Sequence, residues 1–191
     1  MYKQCMTAQS AARQRQLEQG LLEAMRCRHY DEISVSDLCD SLGVPRKSFY
    51  RYFSGKDGAL YALIDHALMD YDVFAMPMDA GFQASPYWFM EEVFRYWISQ
   101  KPLLDALARS NLSGILIQRA LVYTKERGML PRFMTIYDKR LREYGTMFAI
   151  CGLMSIIVQW HHDGFTSSVE EMARLALQLF SQPIYEANRG M

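Results

Sequence analysis

Apolar residues recur along this chain at intervals of three and four, the spacing that turns one face of an α-helix toward a core. Leu17, Leu21, Ala24 and Met25 mark a helix over about Ser10–Arg28, and Val35, Leu38, Cys39 and Leu42 mark a much shorter one. Leu60, Leu63, Ile64, Ala67, Leu68 and Tyr71 predict a helix over 55–74. Residues 75–86, with two prolines and a glycine, read as a loop. Ser85-Pro86 then caps a helix crowded with rings: Tyr87, Trp88, Phe89, Phe94, Tyr96 and Trp97. Short helices over Leu103–Arg109 and Leu112–Arg127 follow, the second ended by Gly128, and Met129-Leu130-Pro131 opens a connection. A long helix resumes near Ile136, and a last one runs from Ser168 to about Gln182 with Met172, Leu175, Ala176, Leu179 and Phe180 as its apolar face. The pattern predicts an all-α chain of about nine helices, preceded by a disordered tail over residues 1–9.

The most informative stretch is 34–58. Ser34 precedes the short apolar stripe with Asp37 three residues on, a capping box with Asp in place of Glu. Gly43 stands where a helix ends in a residue of positive φ, and Pro45 suits the first turn of the next helix. Two helices joined by so short a turn make a helix-turn-helix. On the second helix Phe49 and Phe53 point inward, with Val44 as an entry hook, while Arg46, Lys47, Tyr50 and Arg51 occupy the other sides. Between Val44 and Lys56 there are four basic residues and no acidic one. A solvated helix normally mixes both signs, so this face points to a nucleic-acid partner. Arg and Lys can pair with guanine edges, and Tyr and Ser hydroxyls with phosphate oxygens. Arg13 and Arg15, at the start of the first helix, oppose its dipole and invite an outside anion.

The run Gly43-Val44-Pro45-Arg46-Lys47-Ser48-Phe49-Tyr50-Arg51-Tyr52-Phe53-Ser54-Gly55-Lys56-Asp57 resembles the signature of the tetracycline-repressor (TetR) family of one-component regulators. The aromatic run Phe49–Phe53 followed by Lys56 is its most specific part, and the likeness covers roughly residues 10–72. In that family the second tyrosine, here Tyr52, and the lysine, here Lys56, touch phosphate. One departure is Asp57-Gly58, where the family commonly has Glu followed by another acidic or small residue. A further echo is Gln159–Phe165 with Ser168–Met172, similar to the ending of many such regulators, whose last two helices pair with their mates in a four-helix bundle.

Length and charge narrow the picture. The chain has 191 residues and zero formal net charge, so DNA binding has to rest on a local basic patch. Its four cysteines, Cys5, Cys27, Cys39 and Cys151, show no Cys-x-x-Cys spacing, which suggests neither zinc nor a disulfide framework and fits a reducing, cytoplasmic setting. The first dozen residues lack the apolar centre of a signal peptide. From Tyr144 to His162 no Asp, Glu, Lys or Arg occurs, but Gly145, Thr146, Gly152, Ser155, Gln159, His161 and His162 dilute the run, and no membrane span is expected. His161 and His162 are adjacent and diverge on a helix, so no metal is implied. Gly55-Lys56 lacks the preceding glycines and strand of a phosphate loop, and no nucleophile elbow, zinc-protease or dinucleotide motif occurs. No enzyme and no cofactor are expected.

Two further groups of residues are expected to matter. A ring-crowded helix either lines a cavity or is sandwiched in a core; Trp88, Phe94, Trp97, Leu116, Tyr123 and Met147 are the pocket candidates. A helix apolar on all sides must be buried on all sides, so the uncharged half of the long helix needs a second subunit. Phe148, Cys151, Ile156, Trp160, Met172, Leu175 and Leu179 are assigned to that seam.

The reading is a DNA-binding head over residues 8–54 and a helical regulatory and dimerisation body over 55–191, with 55–74 as the linking helix and lever. The expected function is a homodimeric regulator, usually a repressor in this family, on a near-palindromic double-stranded operator, released by a small apolar or aromatic ligand. Arg46 and Lys47 are candidates for base edges; Ser34, Ser36, Ser48, Tyr50, Tyr52 and Lys56 for phosphate. A rival reading keeps the fold but puts it under the control of a protein partner, possibly as an activator; an all-α enzyme or carrier fits the basic face less well.

Overall fold

The computed structural model describes residues 1–71, 85–127 and 138–181. Among these, nine α-helices follow in order: α1 (Ala8–Cys27), α2 (Val35–Ser41), α3 (Arg46–Tyr52), α4 (Lys56–Asp70), α5 (Pro86–Ser99), α6 (Lys101–Arg109), α7 (Ser113–Arg127), α8 (Lys139–His162) and α9 (Val169–Ser181). The expectations for most of 75–86, Gly128, Met129-Leu130-Pro131, the helix start near Ile136, Phe74, and the stop at Gln182-Pro183 lie outside the described residues.

Local chemistry explains the boundaries. Thr7 caps α1, Ser34 caps α2, Ser85 with Pro86 at the first position caps α5, and Asp138 caps α8. Ser168 and Glu171 exchange hydrogen bonds before α9, at 2.7 and 3.2 Å, as a capping box does. After α2 the Gly43 N–H donates to Asp40 and the Val44 N–H to Cys39, at 3.2 and 2.9 Å, with Gly43 at φ +60°. This is a Schellman ending, which needs a left-handed residue at the glycine position. Pro45 falls one position earlier than expected, as the N-cap of α3.

The chain forms two compact units. The first comprises residues 1–70 and 102–119, and the second 71–101 and 120–191. In the first, α1 lies along α4, and α2 and α3 pack together; Leu17, Leu21, Met25, Leu38, Phe49, Phe53, Leu60, Ile64 and Leu107 are fully buried. Burial of these side chains at helical spacing, each worth about 1.5–3 kcal/mol, is what closes three short helices into a head.

In the second unit α5 packs against α9 and α8. Phe89, Val93, Phe94 and Trp97 meet an interior that also takes Leu153, Met154, Ile157, Trp160, Met172, Ala173 and Ala176. Among the described residues α8 is the helix long and apolar enough to cross a bilayer. It is buried on one side only, and Leu141, Tyr144, Met147 and Phe148 of its first half are exposed.

The expected disordered tail is corrected. Tyr2 forms an antiparallel bridge with Phe53, the Lys3 N–H donates to the Tyr52 carbonyl at 2.9 Å, and the Ser54 N–H donates to the Met1 carbonyl at 3.0 Å. The segment is polar by composition, yet its backbone is satisfied by the chain leaving α3. The expectation of an outside anion at the start of α1 is also replaced. Arg15 holds Asp70 through two hydrogen bonds of 2.8 Å, and Arg13 donates to Gln16 at 2.7 Å.

Candidate nucleic-acid interface

The α2–α3 pair is positioned by its caps and its buried rings. Ser34 Oγ accepts from the Asp37 N–H at 3.0 Å, and Asp37 Oδ2 accepts from the Ser34 N–H at 3.2 Å. These hydrogen bonds, with Arg28 beside them, hold the Asp37 carboxyl below the usual range. The Schellman turn sets α3 off from α2, and Phe49 and Phe53, with ring centroids 5.0 Å apart, lock its inner face. What remains outward is Arg46, Lys47, Tyr50 and Arg51; Tyr50 is 48% exposed. None of the three cations makes an ion pair with a described residue, in contrast with Arg15, Arg26 and Arg28, which are neutralised by Asp70, Glu23 and Asp37. Ser34 is exposed, and Ser36 and Ser48 are half-buried.

Two phosphate candidates sit differently from what the sequence suggests. Tyr52 is buried, its carbonyl taken by Lys3. Lys56 donates to the Tyr30 carbonyl at 2.6 Å, with its ammonium 4.1 Å over the Tyr30 ring. Neither side chain is presented to solvent as Tyr50 is. Tyr30, which the sequence reading places as a plug at the turn into the helix-turn-helix, joins more elements than that turn alone. Its N–H donates to the buried Ser110 hydroxyl at 2.9 Å, and its hydroxyl donates to Asp57 at 2.6 Å. Burial, then the Asp57 hydrogen bond, pushes the Tyr30 phenol well above its ordinary value. One tyrosine thus ties the α1–α2 connection to the start of α4 and to the turn after α6.

A second polar cluster lies beneath α4. Asp65 is 3% exposed and accepts from Arg119 Nε at 2.7 Å, from Arg119 Nη2, and from the Tyr2 hydroxyl at 2.8 Å. Beside it His66 meets the buried Glu18 at 2.8 Å. Asp65 and Glu18 stand in apolar helical patterns, and nothing in their spacing announces partners this far away in sequence.

The pocket candidates divide. Phe94 and Trp97 are buried in the second unit, Phe94 edge-on to Trp160 at 5.4 Å. Trp88 and Tyr123 are half-buried, Leu116 is buried in the first unit, and Met147 is exposed. Met147 is exposed because no described residue covers its side of α8.

Of the seam candidates, Phe148 is 65% exposed, Leu175 is exposed, and Cys151, Ile156 and Leu179 are half-buried. Trp160 and Met172 are corrected to core residues. Trp160 is 2% exposed, its indole N–H donates to the Ser167 carbonyl at 3.0 Å, and its ring meets Phe165 at 4.6 Å. A ring already enclosed by its own chain has no area left to offer a second one. Of the adjacent histidines, His161 meets the Phe165 ring and His162 pairs with Asp163.

Comparison with known proteins agrees with this geometry. Residues 20–63 match the model described as bacterial regulatory proteins, tetR family. No curated protein matches the chain in sequence. Among solved structures, a protein titled dihydroxyacetone kinase operon activator DhaS superposes with a TM-score of 0.56 at 13% identity, covering 89% of this chain and 94% of that one. The fatty acid degradation regulator FadR from Bacillus halodurans gives 0.55 at 16%, covering 88% and 94%. A tetR-family transcriptional regulator from Streptomyces coelicolor gives 0.55 at 22%, covering 89% and 79%. At these identities the structures establish the all-α fold, and the stretch matched by the family model, residues 20–63, contains the helix-turn-helix pair α2 and α3.

Proposed function

We propose that this chain, with its tetR-type head, is a homodimeric cytoplasmic transcriptional regulator that reads a near-palindromic operator through α3 and is released from it by a small apolar or aromatic ligand. The observation that carries the reading is the outward set Arg46, Lys47, Tyr50 and Arg51, unpaired with any described acid on a chain of zero net charge. Residues 8–54 form the reading head and 55–191 the regulatory and dimerising body, with the helix that starts at Lys56 as the lever between them. Arg46 and Lys47 face base edges. Ser34, Ser36, Ser48 and Tyr50 face phosphate, and Tyr52 and Lys56 act mainly by holding the head together. Two-fold symmetry would set two recognition helices about 34 Å apart in successive major grooves.

The exposed stripe Leu141, Tyr144 and Phe148, continued by Leu175 on α9, favours a second copy as the cover for α8. Phe94, Trp97 and the half-buried Trp88 and Tyr123 supply the aromatic surroundings a ligand would use. That ligand must bind the DNA-incompetent spacing of the heads more tightly than the competent one. Whether binding represses or activates depends on where the operator lies, and one of the similar structures is titled an operon activator.

Selection of binding sites from random duplexes, with Tyr50→Ala as control, tests the reading. Enrichment of a two-fold repeated site by the native chain and none by the variant is expected. No salt-sensitive binding to any duplex would overturn it.

A further inference from the structure

We propose that Met1–Lys3 is a fixed strap that brings Lys3 into the phosphate-binding surface of the head, an inference that rests on the DNA-binding reading above. The strap runs antiparallel to the chain leaving α3. Its backbone is held at both sides, by the Lys3 N–H on the Tyr52 carbonyl at 2.9 Å and by Gln14 Nε2 on the Lys3 carbonyl at 3.3 Å. Residues alternate along such a segment. Tyr2 turns inward, donating to Asp65 at 2.8 Å and setting its ring edge on His66 at 5.8 Å. Lys3 turns outward, exposed, and makes no ion pair with a described residue.

The seat is built for the strap. A Cβ on Gly58 would lie 2.4 Å from the Met1 carbonyl oxygen, so a side chain there would lift the segment away. The inward anchor is equally specific, because Asp65 is clamped by Arg119 and its Oδ2 accepts from the Tyr2 hydroxyl as well as from Arg119 Nη2. Asp57 and Asp65, the acids nearest in the α4 sequence, are engaged by Tyr30 and Arg119. Lys3 therefore projects from a pinned backbone beside the end of the recognition helix at Tyr52, with Gln14 of α1 on its other side. A cation held this way loses little chain entropy on meeting phosphate.

Binding of the full chain to its selected operator and to an unrelated duplex, across 50–200 mM salt, tests this. Lys3→Ala, which removes one phosphate contact from each protomer of the dimer, should weaken both duplexes alike and lower the salt slope by about 1.8, so that its penalty is about twelvefold larger at 50 mM than at 200 mM. Gly58→Ala should reproduce that loss, with Lys3→Ala adding nothing to it. A Lys3→Ala variant with unchanged affinity and slope, beside an Arg46→Ala variant that has lost affinity, would overturn the strap and leave the DNA reading standing. Gly58→Ala that binds like the native chain would also overturn it. Absence of duplex binding by the native chain would overturn both.

Discussion

Arg119 grips Asp65 with two arms, Nε on Oδ1 at 2.7 Å and Nη2 on Oδ2, across 54 positions of sequence. The carboxylate is buried, so the pair matters less for its own attraction than for what its loss would leave behind. Arg119→Met should destabilise the chain by about 3–5 kcal/mol, while Asp65→Leu combined with Arg119→Met should recover most of that. Urea midpoints of the three proteins check it; equal losses in single and double variants would contradict the account.

Lys56 offers a contrast between two roles. If its work is to hold the Tyr30 carbonyl, Lys56→Met should cost about 1–2 kcal/mol of stability in the absence of DNA. A lysine serving phosphate alone would leave the midpoint where it was and change only affinity.

Arg46 and Tyr50 are exposed on the outer face of α3, Tyr50 meeting the Phe49 ring edge-on at 5.6 Å, so their replacement should leave the chain folded. Arg46→Ala should cost about 1–3 kcal/mol of operator affinity and relax preference at one position. Tyr50→Ala should abolish selective binding. Competition against single-base operator variants separates the two effects.

Trp160 and Phe148 separate the core from the proposed seam on one helix. Trp160→Ala should cost about 3–5 kcal/mol of protomer stability, because the ring is enclosed by Phe94 and Phe165. Phe148→Glu, on an exposed side chain, should leave the protomer folded and shift sedimentation to the monomer. A Phe148→Glu variant that still sediments as a dimer would move the seam elsewhere.

The phenols of Tyr2, Tyr30 and Tyr71 all lie above the ordinary value of 10.0, burial being the largest cause at each. Below pH 10 they are neutral in both the folded and the unfolded chain, and their contribution is fully present. Above it the unfolded chain ionises first, so stability should fall as pH rises through and beyond 10. Urea midpoints between pH 8 and 11 should show that decline, and Tyr30→Phe should flatten it.

The head was legible in the sequence because its signals are local. Ser34 and Asp37, Gly43, and the Phe49–Phe53 pair each act within a few residues, and each stands where it was expected. The strap was not legible, since Tyr2 and Lys3 are polar residues whose partners, Asp65 and Tyr52, lie about fifty to sixty positions on. Trp160 was misplaced for a related reason. Periodicity says that a helix face is apolar, and only the arrangement of α5 decides whether the chain itself or another copy covers it. That Leu116 belongs to the first unit and Phe94 and Trp97 to the second is likewise something no local pattern encodes.

The first unit is assembled from two distant stretches, 1–70 and 102–119. A ribosome making this chain therefore releases the reading helices well before Ser110 and Arg119 exist. Until those two emerge, the Tyr30 N–H lacks its hydroxyl acceptor and the Asp65 carboxylate has the Tyr2 hydroxyl but not its guanidinium partner. The first unit is thus complete only once well over half of the polypeptide has been translated.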